Sequence, residues 1–477
     1  MKYPFIRISD SLYEIGAGYR KTMAVPARFY LTEAMLASVS EDKSIEQLIN
    51  VAGLPGIIGY AVAMPDMHQG YGFPIGGVAA FDAEKGIISP GGVGYDINCG
   101  VRVLLTDLDR EMIKTHTMQL NDFLYSAIPT GAGLGGLVTL NDTLMERVLH
   151  EGAHWAAKNG FGDTHDLNAI EDNGTLECGD VSTVSRRARD RGMQELGSLG
   201  SGNHFLEIGY IDTIFDNDTA LRWGIQQDQV VVQLHCGSRG LGHQVCTDFV
   251  KLFQRSIIDQ KIQLPDRELV YAPFASSDGK DYFNAMNAAA NFAFANREVL
   301  TDRVRTIFDR VLKKHVSIRV LYDVAHNIAK KENVVFNGTT IKAIVHRKGA
   351  TRAFGSGHHP GHVYHETGQP VLIPGTMGTY SYICVGTKKA EGSTFGSSCH
   401  GAGRAMSRTA ALKSFNGRDI TDTLAHKGIC VQTGSLKGLA EEAPQAYKDV
   451  RDVVRVVTDE GIVRQVARIR PIAVIKG

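Results

Sequence analysis

The sequence has no long uninterrupted apolar run, no Cys-x-x-Cys pair and no excess of either charge. A membrane-spanning helix needs about 20 consecutive apolar residues, so the first absence argues against an integral membrane protein. The seven cysteines form an odd number without close pairing, which argues against a disulfide framework or a structural zinc knuckle. The start, Met1-Lys2-Tyr3-Pro4, has no secretory signal pattern. We therefore expect a cytoplasmic protein, or a nucleo-cytoplasmic one in a eukaryote.

The balance of charge limits what kind of nucleic-acid binding is expected. Lys+Arg and Asp+Glu number 51 each, which argues against a nonspecific basic coat. A local basic groove remains compatible with zero net charge, because local charge decides such contacts. Basic clusters lie at 185–191, 313–315 and 346–348. Each cluster is equally compatible with a solvated helix face or turn.

No internal repeat, low-complexity tract or proline-rich linker divides the 477 residues. Apolar runs predict strands at 101–105 and 230–234, and the spacing of apolar residues predicts one long amphipathic surface helix over 285–314. Residues 159–180 are polar and acidic, and we interpret them as a loop. We expect residues 1–477 to form a single large mixed α/β domain of the α+β class.

Glycine is abundant, with 52 residues, and it is concentrated in patches that contain or closely adjoin histidine, cysteine or arginine. The patches lie at 70–77, 91–100, 197–202, 237–242 and 401–403. Glycine permits positive φ and a close approach of backbone to ligand. Ordinary turns do not explain why such side chains lie in or next to the patches, so we interpret the patches as loops of one pocket.

Five residues have the chemistry of metal ligands. Asp96 and Cys99 are three residues apart in one glycine-rich turn, and His204, His235 and His326 stand in similarly tight settings. A carboxylate, a thiolate and imidazoles can hold divalent metal, and a thiolate can bridge two ions. Thiolate and imidazole favour zinc, whereas a carboxylate and an open position facing phosphate are compatible with manganese. A lone cysteine or histidine is more often a core residue than a ligand, so the shared context carries this prediction.

Other histidines and cysteines are weaker candidates. His68, Cys236 and His243 lie close in sequence to the segments above. The pair His358-His359 resembles a metal site, but we interpret it as part of a polar surface loop.

The segment around His400 has the features of a covalent nucleotide site. It reads Cys-His-Gly-Ala-Gly-Arg, and its glycines let a phosphate approach backbone N–H groups. Arg404 could neutralise charge on the phosphoryl oxygens. An imidazole can attack an α-phosphate and hold the nucleotide as a phosphoramidate. The alternative is a turn histidine before a helix. Together with the metal ligands, the segment predicts metal-dependent phosphoryl chemistry.

These segments resemble the RtcB family of RNA-splicing ligases. The resemblance rests on 64–70 (MPDMHQG), 92–100 (GVGYDINCG), 202–207 (GNHFLE), 237–240 (GSRG), 399–404 (CHGAGR) and 475–477 (IKG). Each motif is moderately specific, and the ordered set, from about residue 20 to the last residue, is very specific.

The resemblance implies a GTP-dependent ligase that joins RNA 3′-phosphate or 2′,3′-cyclic phosphate ends to 5′-hydroxyl ends, in tRNA splicing or RNA repair. It implies a single RtcB-like catalytic domain and two Mn²⁺ ions bridged by Cys99, one held by Asp96 and His204 and the other by His235 and His326. His400 would carry GMP before the GMP passes to the RNA 3′-phosphate. The partners would be cleaved tRNA halves or other broken RNA, and an archease-type activating protein.

The implied roles extend to further residues. Asp66 is the candidate for positioning the 5′-hydroxyl, and Arg404 for contacting phosphate. Phosphate contacts of the RNA backbone are assigned to Arg186, Arg187, Arg189 and Arg239. The implied GTP pocket comprises Asn203, His204, Phe205, Leu206, Glu207, His326, Asn327, Pro374, Gly375, Thr376, Met377, Ser381, His400, Gly401, Ala402, Gly403 and Lys476.

Two members of this pocket carry its specificity for guanine. A carboxylate at Glu207 can accept from guanine N1–H and from its exocyclic amine, whereas adenine has no N1–H. Lys476 ends the apolar, strand-like run 470–477, which we expect to pack against the body of the protein and so place the lysine at the base.

Two other functions fit parts of the pattern. A metal-dependent phosphatase or cyclic phosphodiesterase acting on RNA ends would use the same ions without a covalent nucleotide. An RNA-binding scaffold with a vestigial site is disfavoured, because all candidate ligands and His400 are present.

Overall fold

Two large β-sheets form the centre of the computed structural model, which describes residues 3–39, 42–131, 133–358 and 361–477. The first sheet has seven strands, in the order β1-β2-β3-β4-β5-β13-β12. Their bounds are β1 Ile6–Arg7, β2 Leu12–Ile15, β3 Ala27–Tyr30, β4 Ile57–His68, β5 Ile75–Asp82, β13 Thr339–Lys348 and β12 Asn327–Phe336. All neighbours pair antiparallel except β3 and β4.

The second sheet has eight strands, in the order β11-β7-β9-β8-β19-β16-β15, all antiparallel, and β18 pairs parallel with β19 off this path. Their bounds are β11 Ile318–Ala325, β7 Gly100–Asp109, β9 Gln229–Cys236, β8 Phe205–Ile214, β19 Val463–Lys476, β16 Ser381–Gly386, β15 Pro370–Ile373 and β18 Cys430–Thr433. Two short ribbons complete the strands: β6 Ile87–Ile88 with β10 Ala272–Pro273, and β14 Ala350–Arg352 with β17 Ser397–Cys399.

Fifteen α-helices of the described residues surround the sheets. They are α1 Glu33–Val39, α2 Ser44–Val51, α3 Arg110–Ile113, α4 Thr117–Ala127, α5 Asp142–Glu151, α6 Ala153–Lys158, α7 Arg186–Gly192, α8 Asn217–Trp223, α9 Arg239–Asp259, α10 Ser277–Leu312, α11 Lys388–Ser393, α12 Arg408–Ser414, α13 Gly417–His426, α14 Leu436–Glu441 and α15 Val450–Asp459. The mixture of sheets and helices confirms the predicted α+β class. None of these helices is both long and apolar enough to cross a membrane.

The strands predicted at 101–105 and 230–234 lie within β7 and β9, which pair with each other in the second sheet. Seven of the eight residues of β9 are buried, as expected for an apolar run with other elements packed on both faces. The predicted loop at 159–180 is also confirmed, and it contains the 3₁₀ turns Asp166–Ala169 and Glu171–Gly174.

The long helix is confirmed, but its predicted place on the surface is wrong. Helix α10 is buried along most of its length, including Asn291, Asn296 and Arg297 on its polar side. The amide of Asn291 donates to the carbonyl oxygens of Leu149 and Leu176. Polar residues were expected to face water, yet here they satisfy the backbone of loops packed around the helix.

Candidate active site

The antiparallel register of the second sheet brings the candidate metal ligands to one edge. Strand β7 begins directly after Cys99, and its Val101 is paired with His235 of β9. Strand β8 begins after His204, and its Phe205 is also paired with His235. His326 follows the last residue of β11, which is paired with Gly100. Ligands that are far apart in sequence therefore meet because four strand ends lie side by side.

Asp96, Cys99 and His204 form the first group of candidate ligands. The Nε2 atom of His204 lies 2.8 Å from Asp96 Oδ2 and 3.3 Å from Cys99 Sγ. The Nδ1 atom of His204 lies 2.9 Å from the Leu199 carbonyl oxygen, which fixes the ring so that Nε2 faces the group. Burial opposes ionisation of Asp96, but the hydrogen bond and charge of His204 outweigh it and lower the pKa of Asp96.

Cys99, His235 and His326 form the second group. Cys99 Sγ lies 3.3 Å from His235 Nε2, which lies 3.3 Å from His326 Nε2. Burial lowers the pKa of both histidines well below the usual value, so both rings are neutral and carry a lone pair. Burial also raises the pKa of Cys99 to about 12, and a bound cation favours the thiolate.

The two groups share Cys99, and their donor atoms are compatible with bound divalent metal. Within each group the ligand atoms all lie within 4.8 Å of one another, and only Asp96 is less than fully buried. Glycine is required beside it, because a Cβ at Gly237 would lie 2.4 Å from Asp96 Oδ1. Asn327 supports the same turn by donating to the Asp96 carbonyl oxygen at 3.1 Å.

A buried arginine of α10 holds two of the segments that carry ligands. The guanidinium of Arg297 donates to the carbonyl oxygens of Asn98 and Cys236, at 2.8 and 2.9 Å. Its Nε donates to Asp323 at 2.8 Å, and both side chains are fully buried. Asn98 has a φ of 53°, and its side chain is also bound by Arg297. The role of Arg297 is not visible in the sequence, because its spacing in α10 does not indicate its partners.

His400 lies directly after β17, opposite the end of β4. Its Nδ1 lies 2.6 Å from Asp66 Oδ2, and its backbone N–H donates to the same oxygen at 3.0 Å. The ring of His400 lies 4.8 Å from the ring of His326, measured between centroids. A Cβ at Gly403 would lie 2.2 Å from the Asp66 carbonyl oxygen, so the glycine permits this close approach. The candidate nucleophile therefore adjoins the second metal group.

A cavity extends from His400 along one face of β8 and β19. Most of the expected nucleotide-pocket residues line it: Asn203, Phe205, Glu207, His326, Asn327, Pro374, Gly375, Thr376, Met377, His400, Gly401, Ala402, Gly403 and Lys476. Side chains alternate across a strand, so Phe205 and Glu207 face the cavity while Leu206 packs into the core on the other side. Ser381 lies behind the wall, where its hydroxyl accepts from the Gly375 N–H at 3.1 Å. His204 likewise faces the metal group rather than the cavity.

The end of the cavity farthest along β19 contains buried ionisable side chains. Gln233 donates to Glu207 at 2.8 Å, and burial raises the pKa of Glu207 to about 8. Lys476 is paired with Phe205 in the sheet, and its ammonium lies 5.7 Å from the ring centroid. Burial lowers the pKa of Lys476 to about 8, against the opposing charge of Glu442. This confirms that the terminal strand packs against the body of the protein.

Comparisons with known proteins agree with this architecture. The family model described as tRNA-splicing ligase RtcB matches residues 47–477. The chain belongs to the RtcB family.

Curated RtcB relatives match over nearly their whole length. The tRNA-splicing ligase RtcB of Thermococcus kodakarensis is 49% identical over 99% of this chain and 99% of its own. That of Archaeoglobus fulgidus is 49% identical over 99% of this chain and 98% of its own. That of Methanococcus maripaludis is 46% identical over the full length of both. The resemblance predicted from the motifs is therefore confirmed.

Two residues of this RtcB chain have partners that the sequence did not predict. Asp66, expected beside the 5′-hydroxyl of RNA, binds His400 instead, and its role toward RNA stays a prediction. Arg404, expected on phosphate, is held at the far end of the cavity. Its guanidinium donates to the carbonyl oxygens of Met406 and Glu441, at 3.0 and 2.8 Å, and to Glu442.

The four arginines proposed for RNA differ in their surroundings. Arg186 forms ion pairs with Asp142 and Asp190, and Arg189 donates to two backbone carbonyl oxygens of the preceding turn. Arg239 is buried and lies 3.5 Å from His204 Nδ1. Arg187 is exposed on α7 and makes none of the ion pairs found in the described ranges.

The cavity of this RtcB chain also has walls that the motifs did not predict. Arg408, Glu442, Tyr447 and Val474 line it, and so do His68 and Gly349. The ring of Tyr447 lies 5.0 Å from the Arg404 guanidinium. Nothing in the sequence indicated that Glu442, a buried acidic residue directly after α14, would line the cavity. Val474 could have been predicted, because side chains alternate along β19 and place it on the same face as Lys476. Of the pair His358-His359, the first stacks on Phe354 and the second lies outside the described residues.

Proposed function

We propose that this chain is an RNA ligase that uses GTP and Mn²⁺ to join 3′-phosphate or 2′,3′-cyclic phosphate ends to 5′-hydroxyl ends, in tRNA splicing or RNA repair. The observation that carries the proposal is the contact between His400 and Asp66, 2.6 Å from Nδ1 to the carboxylate, beside the second metal group. The names of the relatives support RNA joining as the reaction class.

The metal groups provide the electrostatic part of the proposal. Asp96, Cys99 and His204 would hold one Mn²⁺, and Cys99, His235 and His326 the other. When bound, such ions act as Lewis acids that polarise phosphoryl oxygens. Their number and identity rest on the family, because the donor types alone do not separate manganese from zinc.

His400 would be the nucleophile. With its Nδ1–H donated to Asp66, the lone pair on Nε2 is free to attack the α-phosphorus of GTP, forming a P–N bond and releasing pyrophosphate. An oxygen of the RNA 3′-phosphate then displaces the imidazole and takes the GMP. The 5′-hydroxyl finally attacks the 3′-phosphorus, forming the phosphodiester bond and releasing GMP. A cyclic phosphate is first opened by water to a 3′-phosphate.

Guanine would be bound at the far end of the cavity. Glu207 and Lys476 supply an acceptor and a donor at neighbouring positions of β8 and β19. A base without N1–H would leave a buried carboxylate without its partner, which is costly. Glu442 balances the lysine when the base is absent.

The wider assignments follow from this reaction. Residues 1–477 would act as one catalytic domain, in the cytoplasm or the nucleo-cytoplasm, on cleaved tRNA halves or other broken RNA. Arg187 is the most suitable of the proposed phosphate contacts, because Arg186, Arg189 and Arg239 already have partners. An archease-type protein would be an activating partner.

Incubation with GTP labelled on its α-phosphate, in the presence of Mn²⁺, tests this proposal. The chain should acquire an acid-labile, protein-bound label, and His400→Ala should not. A phosphatase or cyclic phosphodiesterase would act on RNA ends without acquiring label. Absence of label on metal-loaded protein would refute the ligase mechanism.

A second experiment isolates the last step. His400→Ala supplied with RNA that already carries a 3′-pyrophosphate link to guanosine should still seal it to a 5′-hydroxyl end. Failure of this variant with its metal content intact would mean that His400 also acts in the sealing step.

A further inference from the structure

Three aromatic side chains form a row that passes beside the first metal group. The ring centroids of Tyr71 and Tyr95 are 5.9 Å apart, with the planes at 85°. Those of Tyr95 and His243 are 6.2 Å apart, with the planes at 34°. We name these three residues the aromatic row. Tyr95, the middle ring, is the residue directly before Asp96, so the row passes beside a candidate metal ligand.

The row is held in place yet open to solvent. Tyr71 is 65% exposed, which is unusual for a large aromatic side chain. Its backbone is fixed, because the buried ammonium of Lys348 donates to the Tyr71 carbonyl oxygen at 2.6 Å. The hydroxyl of Tyr95 donates to Glu268 at 3.1 Å. Rings positioned in this way can contact a ligand with little loss of conformational freedom.

The row lies outside the proposed nucleotide pocket. None of its three residues is among those that line the cavity beside His400. Of the candidate metal ligands, Asp96 has the most accessible side chain, 16% exposed against 5% for His204. The metal groups are therefore open on the side where Tyr95 lies, while the His400 side leads to the space proposed for GTP.

Cations flank the His243 end of the row. Arg191 lies beside His243, and it donates to the neighbouring Gln244 at 3.2 Å. The ring of His243 is itself exposed. Arg187 lies one turn before Arg191 on α7 and is exposed.

We propose that the aromatic row stacks against unpaired bases of an RNA end, while Arg187 and Arg191 contact the adjacent phosphates. This inference rests on the proposed function, because it assumes that an RNA end reaches the metal groups. Every base has a π face, so stacking suits an enzyme that must accept ends of different sequence. Recognition of single-stranded RNA commonly combines aromatic stacking with basic contacts in this way.

The position of the row favours RNA over a protein as its occupant. A protein docked on Tyr71 and Tyr95 would cover the accessible side of Asp96, and with it the approach to the metal groups. A strand of RNA lying along the row would instead lead its own end to them. The neighbouring arginines also match a polyanion rather than an apolar surface.

Binding of a short single-stranded RNA that carries a 3′-phosphate tests the proposal. Tyr71→Ala should weaken its affinity by about five- to a hundredfold, the usual range for the loss of one stacked base, and should raise the KM for RNA. Tyr71→Phe should retain most of the affinity, because the ring remains. Phe215→Ala is the matched control. Phe215 is 46% exposed and stacked on Tyr382, but it follows the end of β8 opposite to Phe205, about 30 Å away.

Fluorescent base analogues identify which strand uses the row. 2-Aminopurine would be placed at the nucleotide next to the 3′-phosphate in one RNA, and next to the 5′-hydroxyl in a second. Stacking quenches its emission, and Tyr71→Ala should restore emission in the strand that occupies the row. Emission that Tyr71→Ala leaves unchanged in both RNAs would overturn the proposal.

GTP labelling without RNA separates this inference from the proposed function. Tyr71→Ala should acquire label at the wild-type rate, because the row lies outside the cavity. If the wild type acquires no label, the proposed function fails. If the wild type and Tyr71→Ala acquire label and bind RNA equally well, only the aromatic row is refuted.

Discussion

The carboxylate of Asp66 binds His400 twice through a single oxygen, accepting from the backbone N–H at 3.0 Å and contacting the ring Nδ1 at 2.6 Å. Asp66 is fully buried, and its other oxygen has no hydrogen-bond partner among the described residues. The arrangement fixes both the rotation of the imidazole and the nitrogen that carries its proton. A ring held in this way presents Nε2 as a lone-pair donor, as a nucleophile requires.

Asp66→Asn should slow formation of the GMP adduct by about two to four orders of magnitude, because the amide can no longer hold the same tautomer of His400. The rate of labelling by GTP measures this. Metal content should stay at the wild-type value, since Asp66 belongs to neither metal group. A normal labelling rate would show that the carboxylate does not act through His400.

Cys99→Ala should lower the metal content of both groups at once, because its sulfur lies 3.3 Å from a histidine of each. Metal analysis of the purified protein and GTP labelling both report the loss. Cys178→Ala and Cys430→Ala are the controls, as neither cysteine belongs to a group of candidate ligands in the described ranges. Two ions retained in Cys99→Ala would exclude the bridging role.

Arg297→Lys should weaken metal binding by about ten- to a hundredfold, the usual effect of losing a group that orients ligands. A lysine keeps the charge beside Asp323 but cannot reach the carbonyl oxygens of both Asn98 and Cys236. The loss of buried hydrogen bonds to these carbonyl oxygens should also destabilise the fold, by about 1–3 kcal/mol for each oxygen left without a partner.

Arg102→Lys is the matched control for this prediction. Arg102 is equally buried and donates to the same Asp323 carboxylate at 2.8 Å, but its other contacts include Glu298 and Thr301. Thermal unfolding should therefore show a loss of stability in both variants, while metal titration should show weaker binding only in Arg297→Lys. If Arg297→Lys and Arg102→Lys bind metal with equal affinity, Arg297 contributes only to the stability of the fold.

The sequence predicted the site better than it predicted what supports the site. Cys99, His235 and His400 stand in short glycine-rich motifs, so chemistry and local backbone are visible together. The partners of Arg297 lie 199 and 61 positions away, and only the fold brings them together. Helix α10 was placed on the surface for the same reason, since its polar residues bind loops whose positions no periodicity reveals.

The motifs that form the nucleotide pocket were also predictable from the sequence, whereas the direction of each side chain was not. Adjacent motif residues were all assigned to it, but strand alternation turns Leu206 into the core while Phe205 and Glu207 face the cavity. That correction follows from the two-residue period of a strand once β8 is known. The contribution of Glu442 to the cavity does not follow from this period, because it depends on how α14 packs against β19.

GTP use should depend on pH through Glu207. Its pKa of about 8 lies above the ordinary value, so the carboxyl is mostly protonated at pH 7 and becomes an acceptor for both guanine donors only as it ionises. The KM for GTP should therefore fall as pH rises from 6 toward 8, by up to about tenfold per pH unit. Above pH 8 the gain should end, because Lys476 loses its proton there.

Glu207→Gln serves as the comparison for this pH dependence. The amide has no charge to gain, so the KM of this variant should not fall between pH 6 and 8, and its preference for GTP over ATP should be reduced. A wild-type KM that is constant over this range would mean that Glu207 does not accept from the base.

Lys476 provides the last test, because a residue next to the chain end would ordinarily be dispensable. Here it is buried within β19, paired with Phe205 on one side and Thr433 on the other. Gly477 is also tightly packed, since a Cβ there would lie 1.6 Å from the Gly200 carbonyl oxygen. Truncation would therefore disturb the fold, and Lys476→Met is the cleaner change.

Lys476→Met should lower the efficiency of GTP labelling by about ten- to a hundredfold, as expected for a lost charged hydrogen bond of about 1.5–3 kcal/mol. Unfolding temperature and metal content should change little, because methionine fills a similar volume and Lys476 belongs to neither metal group. Lys331→Met, an exposed lysine of β12, is the control and should label normally. If both variants label like the wild type, the terminal strand serves only the fold, and the donor to guanine must come from another group such as Arg408, which lines the same cavity.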